Sequence, residues 1–422
     1  MQNANESERG YIEAVAVRYS ADPAAKRADL DDAYANAMRE LHERFPEDTD
    51  AATLYAESLM DLKPWQLWTQ DGKPREETLE IVQILEGVLK VDPNHPGANH
   101  YYIHAIEASP NPEKAAASAE RLHTLVPGAG HLVHMPAHIY IRTGNYAGAV
   151  DANAHAVKVD EAYLARTKAE GVYPLIYYTH NFLFLAAAAG MIGHSRQAIE
   201  SAQRAVAFAA SMAGHDPMAD YVLPWTFYTL ARNARWDDIL ALPRPADSTP
   251  STIAMWAYAR TVAYASKRAV AAARQAREEF SAARARVPKE LMLNTNRAED
   301  LLGIASAVLD ARIARASGDH KDALTHWRQA VTIQDRLIYD EPPAWYYPVR
   351  ESLGAELLLL KRYAEAAAIF KRDLEINPNN PRSLFGLAEA LKAQSSPDAV
   401  QARSRSEDAW KGAEIQLSVE GL

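Results

Sequence analysis

The amino-acid sequence predicts an all-α protein, an α-solenoid in which antiparallel helix pairs stack into one superhelix. The first observation is composition: the chain has 422 residues with only 18 glycines and is rich in alanine, which favours helices over sheets. The second is repetition, since LKVDPNHP at 89–96 is matched by LEINPNNP at 374–381. The third is that apolar residues do not alternate with the two-residue period of strands. Repeated helix pairs that bury each other's faces account for all three observations.

The repeats share a fixed period. Placing Ala115 and Ala149 at position 20 of a repeat starts two consecutive repeats at Pro96 and Gly130, 34 residues apart. Position 32 of the first repeat is then Pro127. Alanine and proline at these positions of a 34-residue helix pair are typical of the tetratricopeptide repeat (TPR). The same register near the C-terminus gives Tyr347 at position 1, Ala366 at position 20 and Pro378 at position 32. The sequence therefore predicts a TPR-type α-solenoid.

The remaining helix pairs fit the register more loosely. They are predicted at about 10–45, 49–93, 179–212, 219–243, 250–283, 300–338 and 381–418. Two segments are extra relative to the period, 62–74 and 164–178, and insertions in repeat arrays usually form loops on one face. We expect an N-terminal array at 1–241, a Pro- and Ser-rich loop at 242–252, and a C-terminal array with a capping helix at 253–422, all within one superhelix.

Composition restricts the partners and the chemistry. The net charge of −10 leads us to expect no nucleic-acid partner and no membrane surface. The most apolar stretch, 183–193, is too short to span a bilayer, and the N-terminus lacks the basic start and apolar run of a leader. We therefore expect a cytoplasmic protein. Because the chain has no cysteine, any metal must be held by nitrogen and oxygen ligands.

The predicted concave face carries a histidine and carboxylate cluster. In a TPR the first helix of each repeat lines this face, with positions 2, 5, 9, 12 and 13 pointing inward. The cluster consists of His100, His104 and Glu107, then His131, His134 and His138, then His180, and upstream Glu57, with Asp61 as its weakest member. Five of the seven histidines in 96–163 fall on inward positions.

The spacing within the cluster suits chelation. Residues four apart lie about 40° apart on one helix face, and both His100/His104 and His134/His138 have this spacing. Neighbouring first helices pack about 10 Å apart, so their inward side chains can meet. Imidazole and carboxylate together predict a transition metal, Fe, Cu or Zn. Six histidines exceed one tetrahedral sphere, so either two ions bind or some members orient ligands or transfer protons.

The cluster has two other interpretations. Polar residues in a TPR groove commonly grip a peptide, and histidines can do so without a metal. Histidines on helices can also be surface or packing residues. The sequence leaves these alternatives open.

Four residues are predicted to contact a substrate: Tyr102, Tyr221, Arg350 and Trp65. Their alternative roles are helix packing for the tyrosines and a surface salt bridge for Arg350. Trp65 lies in the insertion 62–74, which could fold over the groove. Met135 is predicted to be a core residue, and Pro136 is predicted to bend the histidine helix.

The chain resembles a family of bacterial TPR-containing proteins. The resemblance rests on DLKPWQLWTQDGKP, HPGANHYYIHAIEAS, AGHLVHMPAHIYIRTGNY and EPPAWYYPVRESLGAELLLL, and with their spacing it covers about residues 11–395. It implies a TPR fold and helices of HxxxHxxE and HxxHxxxH type. It implies no settled reaction. Family members often carry a further upstream helix pair with an Asn-His-Glu-Glu phrase, which this chain lacks.

The function that these observations favour is metal-dependent catalysis on a small molecule in the groove. Phosphate-loop, dinucleotide-binding and nucleophile-elbow motifs are missing from the sequence. An oxidoreductase is slightly favoured over a hydrolase, because no single general base is set apart from the cluster. The alternative is a non-catalytic adaptor that binds a peptide or partner protein.

Overall fold

A computed structural model describes residues 4–212, 217–245 and 249–422. Within these residues, the chain is helical apart from one short antiparallel ribbon. None of the described helices is both long enough and apolar enough to cross a membrane.

The chain divides into two compact units, 1–139 and 140–422, and the division falls inside the helix Pro136–Thr143. The loop that the sequence predicts at 242–252 lies within the second unit, and its residues 246–248 lie outside the described residues.

The first unit is a run of paired helices, each packed on the next. They are α1 (Glu6–Val17), α2 (Arg27–Arg44), α3 (Thr49–Asp61), α4 (Thr78–Val91), α5 (Pro96–Glu107), a 3-10 turn (Pro112–Ala115), α6 (Ala116–Leu125), α7 (Gly130–His134) and α8 (Pro136–Thr143), which crosses the division.

The second unit continues the pattern of paired helices. It contains α9 (Tyr146–Thr167), a π-helical turn (Pro174–Tyr178), α10 (Thr179–Met191), α11 (Ser195–Met212), α12 (Pro217–Val222), α13 (Trp225–Arg232), α14 (Trp236–Ala241), α15 (Pro250–Ser266), α16 (Val270–Arg284), β1 (Met292–Leu293), β2 (Asn296–Arg297), α17 (Ala298–Ala316), α18 (His320–Gln334), α19 (Val349–Leu359), α20 (Tyr363–Ile376), α21 (Pro381–Ala393), α22 (Asp398–Ala409) and a 3-10 turn (Val419–Gly421).

The repeat alanines explain how the helices of a pair come together. Ala115, Ala149 and Ala366, all at position 20, are fully buried. A side chain of one methyl group lets two helix backbones approach closely, and a larger one would not fit without rearrangement. The alanines therefore set the packing of each pair, as the register predicts.

The repeat prolines mark where second helices end. Pro93, Pro127 and Pro378 each stand two residues beyond the last residue of a helix, after α4, α6 and α20 respectively. Proline cannot continue a helix because it lacks the N–H and its ring clashes with the preceding turn. The prediction of an all-α solenoid of TPR-type helix pairs is confirmed.

The two insertions behave differently. Residues 62–74 form a turn-rich segment between α3 and α4, with an isolated bridge between Trp68 and Pro74. Residues 164–178 are partly helical, because α9 continues to Thr167 and the π-helical turn leads directly into α10.

Candidate metal centre

Helix α5 begins where the sequence provides start signals. The His95 ring accepts a hydrogen bond from a backbone N–H of the first turn. Pro96 occupies the first helical position, where the backbone N–H that proline lacks would have no partner within the helix. His100 and His104 then follow on one face, and the helix ends at Glu107.

The second histidine helix is broken in the middle. Helix α7 ends at His134 and α8 begins at Pro136, with Met135 between them. The break follows from the proline, which has no N–H to continue the helical hydrogen bonds. Met135 is fully buried in the core of the first unit, so that prediction is confirmed.

Glu107 joins the two histidine helices. Its Oε1 atom lies 2.9 Å from Nδ1 of His104, and its Oε2 atom lies 2.5 Å from Nδ1 of His138. An ionised carboxylate only accepts hydrogen bonds, so the protons of both rings belong on Nδ1. The Nε2 atoms of both rings are then unprotonated, which is the form that binds metal in carboxylate–histidine–metal arrangements.

Two pairs of histidines approach each other through their Nε2 atoms. The separation is 2.7 Å between His134 and His138 and 3.0 Å between His100 and His131. Two nitrogens that each lie about 2.1 Å from one ion are themselves about 2.9–3.4 Å apart at angles of 90–109°. Both pairs are therefore close to the spacing of ligands that share an ion.

The first unit contains two groups of three side chains whose ligand atoms all lie within 4.8 Å of one another. They are His100, His104 and His131, and His104, Glu107 and His138. His104 belongs to both groups. The structure thus brings six of the predicted metal-site residues into one cluster, counting His134, whose ring lies 4.6 Å from that of His138.

The cluster is buried on one side and accessible on the other. His134 and His138 are 0% and 3% exposed, whereas His100, His104 and His131 are half-buried. A small molecule could therefore reach the cluster from the side of the half-buried rings.

The electrostatics favour a neutral His100 and an ionised Glu107. Burial lowers the pKa of His100 well below its usual value, and the nearby rings of His104, His131 and His138 lower it further. Burial alone would raise the pKa of Glu107, but His138 and His104 outweigh it and bring that pKa to about 2. Metal ligands need these protonation states at neutral pH.

Glu57 and Asp61, which were predicted near the histidines, both form ion pairs with Arg18. Arg18, the residue that follows α1, pairs with both carboxylates, at 3.5 Å to Glu57 and more closely to Asp61, and the hydroxyl of Tyr34 donates to Glu57. Neither group of potential metal ligands in the first unit includes Glu57. Burial, followed by the charge of Asp61, raises the pKa of Glu57 to about 7.

The two predicted substrate-binding residues of the first unit are Tyr102 and Trp65. Tyr102 is a buried core residue whose hydroxyl donates to Glu86 over 2.8 Å. Trp65 is 59% exposed and has a left-handed backbone with φ of 55°.

The remaining predicted residues belong to the second unit. His180 is half-buried on α10, with its ring 5.5 Å from that of Phe184. Tyr221 is buried in the core of the unit. Arg350 donates two hydrogen bonds to the carboxylate of Asp335, at 2.7 and 2.5 Å, which matches the salt-bridge alternative.

Two aromatic residues outside the predicted set of site residues lie beside the cluster, Tyr101 on α5 itself and Trp68 against that helix. The indole Nε1 of Trp68 donates to the carbonyl of Ala105 over 2.7 Å and so anchors α5 next to His104. The ring of Tyr101 lies 4.8 Å from that of His100. The sequence signal was present, because Trp68 lies in the insertion 62–74 that distinguishes this repeat.

Comparison with known proteins gives likenesses to solved structures. No protein-family model and no curated protein matches the chain. The chain is similar to the human IFIT1 dimer solved with m7Gppp-AAAA, with 14% sequence identity over 92% of this chain and 79% of that one, at a TM-score of 0.38.

This likeness corrects one prediction. The expectation that nucleic acid is excluded as a partner is wrong, because IFIT1 is also a TPR-repeat protein and was solved with a capped RNA.

Proposed function

We propose that the first unit binds a transition metal through His100, His104, His131, His134 and His138. The observation that carries the proposal is Glu107, whose two carboxylate oxygens each face the Nδ1 atom of a different histidine. A carboxylate in this position orients both rings and makes their Nε2 atoms more basic. Simple packing of helices would not require a fully ionised carboxylate at a site that is 3% exposed.

In this proposal Glu107 orients the rings of His104 and His138 and does not itself coordinate the ion. Both of its oxygens are already directed at ring nitrogens, and the Nε2 atoms of His104 and His138 supply the coordination. Nitrogen-rich donor sets suit Fe, Cu and Zn. The two Nε2 pairs, His134/His138 and His100/His131, provide for one ion or for two neighbouring ions.

We further propose that the bound metal is catalytic and acts on a small molecule. Structural metal sites usually have four protein ligands, whereas catalytic sites keep a position open for water or substrate. The three-residue group His100, His104 and His131 leaves such a position, and its half-buried rings leave a route to it. Redox chemistry by Fe or Cu is favoured slightly over hydrolysis, because no separate general base accompanies the cluster.

The test is metal analysis of protein that was purified without a histidine tag. We expect close to stoichiometric Fe, Cu or Zn by mass spectrometry, and for Fe or Cu an absorption spectrum that changes with dithionite. Protein that contains no metal, and that does not take up any of the three ions on titration, would contradict the proposal. That outcome would leave the alternative, a TPR adaptor that grips a peptide through its histidines.

A further inference from the structure

A second cavity lies in the first unit, away from the residues assigned to the metal. It is a groove of about 480 Å³ lined by residues of α2, α3 and α4. This volume lies within the range of roughly 300–1,000 Å³ that is typical of small-molecule sites. The metal proposal does not involve this groove.

The polar wall of the groove is held in place by hydrogen bonds. Arg39 Nε donates to the hydroxyl of Tyr55 over 2.7 Å, and that hydroxyl donates to Glu80 over 2.7 Å. The Tyr55 side chain is buried, and the guanidinium of Arg39 lies over its ring at 5.6 Å. The guanidinium of Arg39, which lines the groove, is therefore held by Tyr55.

One polar atom of the wall has no hydrogen-bond partner. The ring of His42 stacks on Tyr55 at a centroid distance of 5.8 Å, and its Nδ1 atom is inaccessible to water and makes no hydrogen bond to any described residue. Buried polar atoms are nearly always satisfied, and an exception calls for an explanation. Because no water reaches Nδ1, a molecule in the groove would contact the His42 ring through its other atoms.

The floor of the groove contains a glycine that nothing in the packing requires. Gly87 lies in the middle of α4, and a Cβ atom added there would meet no atom within 4 Å. Glycine in a helix interior is less favourable than alanine or leucine. The glycine therefore keeps the floor clear beside the apolar side chains of Ile84 and Val88, which also line the groove.

The charges at the rim determine what the groove would accept. Glu43, Glu47 and Glu80 contribute three carboxylates against the single guanidinium of Arg39. Glu43 and Glu47 form no salt bridge with any described residue. We propose that the groove binds a small organic cation, with its apolar body on the Gly87 floor and its ammonium group toward these carboxylates.

Tryptamine is a suitable probe because it joins a flat apolar body to a primary ammonium group, and indole-3-propionate is its anionic counterpart. We expect isothermal titration calorimetry with the full chain to show saturable binding of tryptamine and none of indole-3-propionate. Gly87→Leu should weaken tryptamine binding by at least about tenfold. It should retain the helical circular dichroism and melt no lower than wild type, because the new side chain enters open space.

Two further variants make the test decisive. Gly128→Leu introduces the same side chain at another glycine with open space around it, outside the groove, and should bind tryptamine as wild type does. Glu43→Gln combined with Glu47→Gln changes only exposed side chains and should weaken tryptamine binding. The proposal is overturned if tryptamine does not bind at millimolar concentration, if indole-3-propionate binds equally well, or if Gly87→Leu binds tryptamine with unchanged affinity.

Discussion

His134 and His138 bring their Nε2 atoms within 2.7 Å of each other across the helix break at Pro136. Two imidazole nitrogens at this distance must share something, either a proton or an ion. Glu107 favours the proton of His138 on Nδ1, so Nε2 of His138 is the acceptor. In the metal-free protein, Nε2 of His134 therefore donates to it.

This relationship predicts that metal binding moves a proton within one ring. For both nitrogens to coordinate one ion, the proton on Nε2 of His134 must leave that atom, and a neutral imidazole can carry it on Nδ1 instead. We therefore expect a net release close to zero for each ion bound at this pair. Calorimetric titration with Zn²⁺ in two buffers of different ionisation enthalpy should give the same apparent enthalpy, and a release of about one proton per ion would mean that the metal-free pair holds an additional proton.

Single histidine substitutions should separate the site from other histidines. We expect His104→Ala and His138→Ala each to lose bound metal, because affinity depends steeply on every ligand. His123→Ala should retain it, since His123 is exposed on α6 and belongs to neither ligand group. Metal content after dialysis is the measurement. Equal metal in all three variants would remove the cluster as the site.

The same two variants should differ in stability. His104 is half-buried, so water can take its place at the Glu107 oxygen that it contacts, and its loss should change the free energy of unfolding only slightly. His138 is buried, and its removal leaves a cavity and an oxygen of Glu107 without its histidine, which should cost about 1–3 kcal/mol. Urea denaturation of the metal-free proteins tests this difference.

Much of the fold could be predicted because it repeats. The 34-residue register places the starts of α5 and α7 at Pro96 and Gly130, and the looser pairs include one that starts at Thr179; the structure begins α5, α7 and α10 at these residues. Repetition gives independent checks on one pattern, and position 20 is confined to alanine by close helix packing. The register also identifies which histidines share a face.

The chemistry within the cluster could not be predicted in the same way. A helical register shows which face of a helix a side chain occupies, but not which of its atoms contacts a neighbour. The contacts of Glu107 with both His104 and His138 could therefore not be predicted from the sequence. Glu57 was grouped with the histidines for the same reason. In the structure Glu57 pairs with Arg18, which follows α1, where the repeat register is loose.

The pH dependence of the free energy of unfolding should depend on Asp340, a buried acid of the second unit. Burial raises the pKa of Asp340 to about 7, although Asn294 donates a hydrogen bond to it. Between about pH 4 and pH 7 the folded state holds a proton that the unfolded state has lost, so the free energy of unfolding falls as pH rises through this window. The full effect is on the order of 4 kcal/mol.

The variant Asp340→Asn removes this titration and can still accept from Asn294. We expect its unfolding free energy, measured by urea denaturation, to vary less between pH 5 and pH 8 than that of wild type. The dependence should not vanish, because burial also raises the pKa of Asp373 to about 6, with the same sign. An unchanged slope would mean that Asp340 is already ionised at pH 5.

The substitution Glu107→Gln tests whether this side chain orients the ligands or binds the ion. The amide oxygen of glutamine can accept from Nδ1–H of one ring, but its NH₂ group would face Nδ1 of the other ring. That ring, His104 or His138, must then move its proton to Nε2, where it can no longer bind metal. We expect a loss of metal affinity of about 10–100-fold, the range seen for outer-shell partners.

The size of the loss distinguishes the possible roles of Glu107. Competition with a chromophoric chelator measures it, with His104→Ala as the reference for a lost ligand. A loss as large as that of His104→Ala would show that Glu107 coordinates the ion itself. No loss would show that its contacts with His104 and His138 serve helix packing alone, and the observation that carries the metal proposal would then fail. An intermediate loss with unchanged helical content is the outcome that the geometry predicts.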